Sequence, residues 1–372
     1  MLAQFVAMHL GAPPPLAIGA RRRYNYWIHE MNMKRFSITP QKAAGWVSGP
    51  FCALAALLAL CALSNDAFFQ TQNLLNITRQ VSYSGIIALG MTFVIVGGGI
   101  DLSVGSLFAL SGVAAAVSMR AFSAPAAAAL GIATDSAGVA IGLAAAMAAA
   151  MAGAGVNALL IVAGRLPPFI ATLGTYSIFR SAALLLADSG TVQAGNPALE
   201  RLGGGSILGL PAPAAVMFAF AAALELLLAL TVFGRHCCAV GASERVAKYA
   251  GVRTGRVRAL TYLLPGVCAG AAAFLFLGRL GSVSSSDAGM LYELDAIAAV
   301  IIGGAAMSGG SGTLRGTLAG VFILGVLSNI LDLWGVPVNL KGVVKGAVIA
   351  ASVMMQGRGA ASAMAGFFSK RK

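Results

Sequence analysis

Charge is what this chain has least of. Only 12 of its 372 residues are acidic and 10% of positions are charged, against roughly 25% in soluble domains. Too few polar groups remain to surface a water-soluble globule of this size. No G-x-x-x-x-G-K-[ST] phosphate loop occurs, so the chain carries no P-loop ATPase site of its own. The run GGAAMSGGSGTLRG (303–316) has the glycines of such a loop but no lysine, and it reads as a tight turn. Three histidines are too few for a His-based metal centre or a general-base triad, so no metal site and no catalytic residue are expected. The five cysteines, Cys52, Cys61, Cys237, Cys238 and Cys268, form no C-x-x-C pair and imply neither a disulfide framework nor zinc. The vicinal Cys237 and Cys238 read as incidental. No stretch is long and polar enough to be a soluble domain.

What is present is hydrophobic, at 58% of positions. The apolar residues fall in blocks of about 20, the length that crosses about 30 Å of hydrocarbon as a helix. Ten candidate spans follow, at 43–63, 81–97, 103–119, 137–163, 168–187, 211–233, 257–280, 293–308, 314–334 and 338–356. The expected fold is all-α, a polytopic membrane helix bundle of about ten transmembrane helices. The block at 293–308 is short and carries Glu293 and Asp295, and 137–163 is long enough to tilt or bend.

The net charge of +13 is informative by position. Basic residues cluster before the first span (Arg21, Arg22, Arg23, Lys34, Arg35, Lys42), after the sixth (Arg235, Arg245, Lys248, Arg253, Arg256) and at the tail (Arg358, Lys370, Arg371, Lys372). The positive-inside rule makes all three cytoplasmic. An even number of spans separates each from the next, so both termini fall on the cytoplasmic side. The opposite loops hold Asp66, Asp135, Asp188, Glu200, Asp287 and Asp332. A bilayer is the expected partner, and nucleic acid has no support.

Residues 1–42 read as a poorly ordered cytoplasmic leader. Its arginines follow an apolar stretch, the wrong order for a secretory signal, and Met31 or Met33 is an alternative start to Met1. The bundle proper is expected over 43–356, with a cytoplasmic coupling loop at 234–256 and a basic tail at 357–372. Residues 64–80 and 188–210 read as external segments. Small residues recur at helix-packing spacing: Gly312, Gly316 and Gly320, then Gly138/Gly142, Gly266/Gly270 and Gly342/Gly346. In lipid, close backbone approach drives helix association.

One stretch stands apart, GGGIDLSVGSL (97–107). An ionisable group among spans is a functional hypothesis by default, and three glycines beside it say the backbone is not an ordinary helix. Asp101 has two readings. It stabilises the start of a helix from Leu102, or it faces a translocation path; the first is favoured. Ser103 and Ser106 fit either role, and Tyr292, Glu293 and Asp295 pose the same question at another helix end. Arg180 and Glu225, inside the fifth and sixth spans, are expected to pair, because an unpaired charge in lipid is costly. Lys341 and Lys345 are expected to snorkel.

Two long segments carry a resemblance. GMTFVIVGGGIDLSVGSLFALSG (90–112) and YELDAIAAVIIGGAAMSGGSGTLRGTLAG (292–320) resemble the signatures of inner-membrane permeases of ribose-, arabinose- and xylose-type ABC importers. FIATLGTYSIFRS (169–181) and YAGVRTGRVR (249–258) are similar to shorter blocks of that family. The likeness runs from about residue 43 to 356. It implies a homodimeric permease without its own ATPase, which imports a monosaccharide or polyol by alternating access. It also implies a separate ABC ATPase that binds ATP and Mg, and a periplasmic sugar-binding protein. The permease itself is implied to bind no cofactor. Within GASERVAKYAGVRTGRVR (241–258), Gly241, Ser243, Glu244, Ala247 and Gly251 fit the family's coupling helix, whereas Arg245 and Val246 stand where small residues are usual. The alternatives are permeases for branched-chain amino acids, nucleosides or signalling furanoses, or an ion-coupled carrier, for which no inverted repeat is visible.

Overall fold

Proline and glycine set several of the helix ends. Helix α5 (Pro168–Leu186) starts at a Pro167-Pro168 pair, where the missing N–H has no intrahelical use. Helices α3 (Val104–Leu130) and α10 (Thr254–Leu280) stop at Gly131 and Gly281, both left-handed at φ 64°, a conformation glycine adopts at no steric cost. The computed structural model describes residues 40–337 and 340–354. The readings for residues 1–39 and for the tail fall outside the described residues.

Helix α1 (Pro40–Ser64) is followed by α2 (Thr71–Val96), then α3, α4 (Thr134–Val162) and α5. A short strand β1 (Thr191–Gln193), helix α6 (Pro197–Gly204) and the hairpin β2 (Ser206–Ile207) and β3 (Leu210–Pro211) lead into α7 (Ala212–Leu230). Next come α8 (Val232–Ala242), α9 (Glu244–Tyr249), α10, β4 (Ser282–Ser284), α11 (Tyr292–Ile302) and α12 (Leu314–Leu333). Residues 340–354 form α13. Seven of these, α2, α3, α4, α5, α7, α10 and α12, are long and apolar enough to cross a membrane. The described part of α1 and helices α11 and α13 are shorter.

Helix α2 is central. Every residue from Gly85 to Val96 is buried, and α7, α10, α11 and α12 pack around it. Close approach on small residues builds the rest. Gly266 and Gly270 of α10 lie against Ala154 and Ala150 of α4, and Gly316 and Gly320 of α12 lie against Gly303 and Ala299 of α11. Gly312 sits between Val96 and Ala305. Gly342 and Gly346 differ from that expectation, because an added Cβ at either meets nothing within 4 Å.

The two ends of the bundle are distinct. At one, β1 pairs antiparallel with β4, α6 packs on the end of α10, and Asn196 donates to the Asp135 carbonyl at 2.9 Å. At the other, Gly98, Gly241 and Gly309 meet backbone to backbone, and the Gly310 N–H donates to the Val96 carbonyl at 2.7 Å. Helix α11 joins the two levels. Its 11 residues span about 16 Å, half of a hydrocarbon core. It begins beside Gly105 of α3, in the bundle interior, and ends where Gly303 meets Gly316.

One segment differs from the sequence reading. Residues 71–80 belong to α2 and are not loop, because Asn73 exchanges side-chain amide bonds of 2.8 and 3.0 Å with Asn329 of α12. The segment 188–210, expected to be external, forms β1, α6 and the β2–β3 hairpin.

Candidate functional site

Two polar clusters and one exposed helix are the candidates, and each is assembled from distant parts of the chain. The first surrounds Asp101. After α2 the chain turns at Gly98, with φ 78°, and Gly99 packs so closely on Tyr262 that a side chain would collide with its hydroxyl. Asp101 is 1% exposed. Its Oδ1 accepts from the Ser103 N–H at 2.8 Å and the Ser103 hydroxyl at 2.7 Å. Asn157 of α4 donates to Ser103 Oγ at 2.7 Å, and Thr175 of α5 donates to Asn157 Oδ1 at 2.6 Å. Ser106 turns back onto the Ser103 carbonyl at 2.8 Å. Helix α3 therefore starts at Val104, two residues beyond the expected Leu102, and Asp101 orders the turn before it. The relay ties the start of α3 and the C-terminal part of α4 to the middle of α5, with every member buried. Replacing Asn157 by leucine removes both interhelical bonds of the relay, leaving the Ser103 hydroxyl only its bond to Asp101 and the Thr175 hydroxyl only its bond to the Thr172 carbonyl. The expected cost is about 1–2 kcal/mol for a buried interhelical network in a membrane protein. It should appear as a melting temperature lower by roughly 2–6 °C in detergent, and an unchanged melt would remove the relay from the list of stabilising elements.

The second cluster is the head of α11. Leu291 is left-handed at φ 64°, and Tyr292, Glu293 and Asp295 follow within the first turn, where carboxylates suit the helix dipole. Tyr292 packs on Phe108 with ring centroids 5.2 Å apart, and Phe276 links Phe108 to Tyr83 at 5.4 Å each. Glu293 is 6% exposed and points at Gly105. Its Oε2 is buried without a hydrogen-bond partner. Asp295 pairs with Lys345 of α13 at 3.1 Å. A cavity of about 340 Å³ opens beside this pair, lined by α2, α11, α12 and α13.

Arg180 does not pair with Glu225, contrary to the sequence expectation. Its Nη1 donates to the carbonyls of Ser285, Ser286 and Ala288 at 2.9, 3.1 and 3.0 Å. It thereby holds the segment that leads from β4 into α11. Glu225 bonds instead to Arg315 at 3.2 Å and to the Leu314 N–H at 3.2 Å, so it neutralises the N-terminus of α12. Lys341 and Lys345 are likewise paired, with Asp332 and Asp295.

The third feature is α9. Ser243 accepts from the Val246 N–H at its start, and Glu244 reaches Arg258 of α10 at 2.8 Å. Ala247 is buried at 3%, while Val246 and Tyr249 are 65% and 85% exposed. Gly241 is wedged against Val96 and Gly310, and Gly251 lies in open space at φ 82°. Burial, and then the neighbouring Cys238, push the Cys237 thiol up to about 12, and the thiol points at the Phe93 carbonyl. This cysteine pair is structural. Among the described residues no group of three His, Cys, Asp or Glu side chains could hold a metal ion. The sequence reading missed Asn157, Thr175, Tyr249 and the Lys345 pair; only the exposed aromatic within a basic loop carried a local signal.

Comparison with known proteins adds an independent line. Residues 73–353 match the family described as "Branched-chain amino acid transport system / permease component". The chain is 40% identical over 309 residues to a ribose import permease protein of Bacillus subtilis, covering 82% of this chain and 91% of that protein. A D-allose transport system permease protein of Escherichia coli is 34% identical, with 82% and 90% covered. A galactofuranose transporter permease protein of Escherichia coli is 31% identical, with 90% and 97% covered.

Proposed function

The chain belongs to this family of transport-system permease components, a multi-pass inner-membrane protein of an ABC importer, and from that premise we propose that it moves a monosaccharide or related polyol inward. The observation that carries the solute class is the 40% identity across 91% of a ribose import permease. The allose and galactofuranose relatives point to the same chemistry, which favours sugar over branched-chain amino acid. Energy comes from a separate ATPase that holds ATP and Mg, and the solute from an external sugar-binding protein. The working unit is a homodimer. In the membrane α1, the segment of α11 and α13 join the seven long helices as spans, ten in all, with both termini cytoplasmic.

The mechanism follows from how the elements are tied. Helix α9 is the coupling helix; Ala247 anchors it inward, and Val246 and Tyr249 are its contacts to the ATPase. The Glu244–Arg258 pair and Gly241 convey its displacement to α10 and to the ends of α2 and the 303–313 turn. That turn is the foot of α11, so its motion tilts the half-helix whose head carries Tyr292, Glu293 and Asp295. Alternating access is then a rocking of α11 between α2, α3 and α12. Asp101, Ser103 and Ser106 keep the start of α3 rigid while this happens, and Gly316 and Gly320 let α12 slide close to α11, with Gly312 packing the turn before α12 against Val96 and Ala305.

The test is uptake into vesicles holding the permease, its ATPase and its binding protein, with a panel of pentoses, hexoses, polyols and leucine. ATP-dependent accumulation of a monosaccharide, about tenfold or more above the ATP-free level, is expected. Uptake of leucine alone, or uptake that ignores ATP and follows a proton or sodium gradient, overturns the reading.

A further inference from the structure

The cavity beside α11 sets a few polar groups in a mainly apolar wall, the usual make-up of a small-molecule site. Gln80 and Ser84 of α2, Tyr292 and Asp295 of α11, Ser328 of α12 and Lys345 of α13 all line it. At about 340 Å³ it falls within the range of small-molecule sites. The Asp295–Lys345 pair at its wall is only partly enclosed, with side chains 23% and 28% exposed. Both Asp295 oxygens face one ammonium, at 3.1 and 3.3 Å, and that contact leaves N–H donors on Lys345 and lone pairs on Asp295 unspent. Such a pair is neutral overall yet donates and accepts strongly, which is the complement of adjacent hydroxyl groups on an uncharged polyol.

Two glycines make the second observation. Gly342 and Gly346 lie one turn apart on α13 and also line the cavity, and a Cβ at either would meet nothing within 4 Å. Glycines that serve packing look different here: at Gly266 and Gly270 a Cβ would press on Ala154 and Ala150. Glycine inside a helix is unfavourable relative to alanine. At 342 and 346, both exposed, it yields no closer contact within the chain and leaves that side of α13 open where it borders the cavity.

We propose that this cavity is a low-affinity monosaccharide subsite within the permease, with Asp295 and Lys345 binding adjacent hydroxyls and Gly342 and Gly346 making room for the ring. The inference rests on the sugar-import reading above and adds to it a place where the solute pauses on its way past α11. Tyr292 offers an aromatic face, and Gln80, Ser84 and Ser328 add polar groups to a lining otherwise built largely from apolar side chains such as Val81, Leu294, Val321 and Ile349.

The test separates this inference from the reading beneath it. The monosaccharide that the reconstituted importer moves best is radiolabelled and offered to the purified permease without its binding protein. Saturable binding in the millimolar range, about 4 kcal/mol, is expected for the wild type. Asp295→Asn and Gly346→Leu should each weaken it about fivefold or more, whereas Ser352→Ala, elsewhere on α13, should leave it unchanged. Should the leucine variant fail to fold, Gly346→Ala adds only a methyl in open space and should weaken binding in the same direction. Transport by the wild-type importer without saturable binding to the permease, or equal binding by all variants, overturns the subsite and leaves the import reading standing. Absence of any monosaccharide transport removes the import reading itself.

Discussion

Gly241→Ala is expected to leave almost no folded, transport-competent protein. The new methyl would fall onto the Val96 carbonyl oxygen and lie 2.7 Å from the Gly310 nitrogen. Those two atoms are hydrogen-bonded to each other at 2.7 Å, so the methyl must break the bond or push α8 away from α2. Overpacking costs about 1–3 kcal/mol, and a buried carbonyl left without its partner about 1–3 kcal/mol more. Their sum is a large share of the roughly 5–15 kcal/mol by which proteins are stable. Gly251→Ala is the control. A Cβ there meets nothing within 4 Å, and only its φ of 82° opposes the change, at about 1–2 kcal/mol. Yield of monodisperse protein in detergent, its melting temperature and vesicle uptake should rank wild type, Gly251→Ala and Gly241→Ala in that order. A Gly241→Ala protein that melts and transports like the Gly251→Ala protein would show that the glycine junction is not rigid.

That junction explains what the sequence could and could not disclose. Spans bounded by local chemistry were legible almost to the residue: 168–187 became Pro168–Leu186, and 314–334 became Leu314–Leu333. Proline at the first helical position and Thr313 accepting from the Gly316 N–H are signals carried by neighbours in sequence. Where a helix continues past its apolar block, hydropathy stops too early. The polar turn at 71–80 is held by Asn329 from 256 residues away, and α3 runs on past 119 to Leu130 with Pro125 inside it. The glycine spacing announced close packing, but not that Gly342 and Gly346 would face a cavity.

The candidate site was legible in its ingredients more than in its wiring. Asp101 was visible as a lone carboxylate in an irregular turn; its link to Asn157 and Thr175 is a tertiary fact with no motif. Pairing Arg180 with Glu225 followed the rule that intramembrane charges find each other. The rule failed here because backbone carbonyls take the Arg180 Nη1 donors in place of a carboxylate, leaving Nη2 buried without a hydrogen-bond partner, and a carbonyl has no letter in the sequence. Lys345 was read by its place at the beginning of a helix, while its partner Asp295 lies 50 residues earlier.

Arg180→Met should therefore be the most damaging side-chain change away from the glycine junction. Methionine keeps an unbranched apolar stem but gives up the Nη1 bonds to Ser285, Ser286 and Ala288. Bonds to a charged group contribute about 1.5–3 kcal/mol each; because they share one guanidinium the losses overlap, and about 3 kcal/mol is expected in total. Ser285 and Ala288 are buried, so their carbonyls have no ready access to water. The segment from β4 to Leu291 would lose its anchor to α5, and the head of α11 would no longer be fixed at one level. Uptake should fall about 100-fold, as expected when a positioning element fails. Arg180→Lys separates charge from geometry, since the shorter lysine keeps the positive charge but does not place its N–H groups where Nη1 meets the three carbonyls. Its uptake should lie between, roughly tenfold below wild type. If the methionine and lysine proteins transport equally, position 180 acts only through its bulk, and the clasp on the carbonyls plays no part in holding α11.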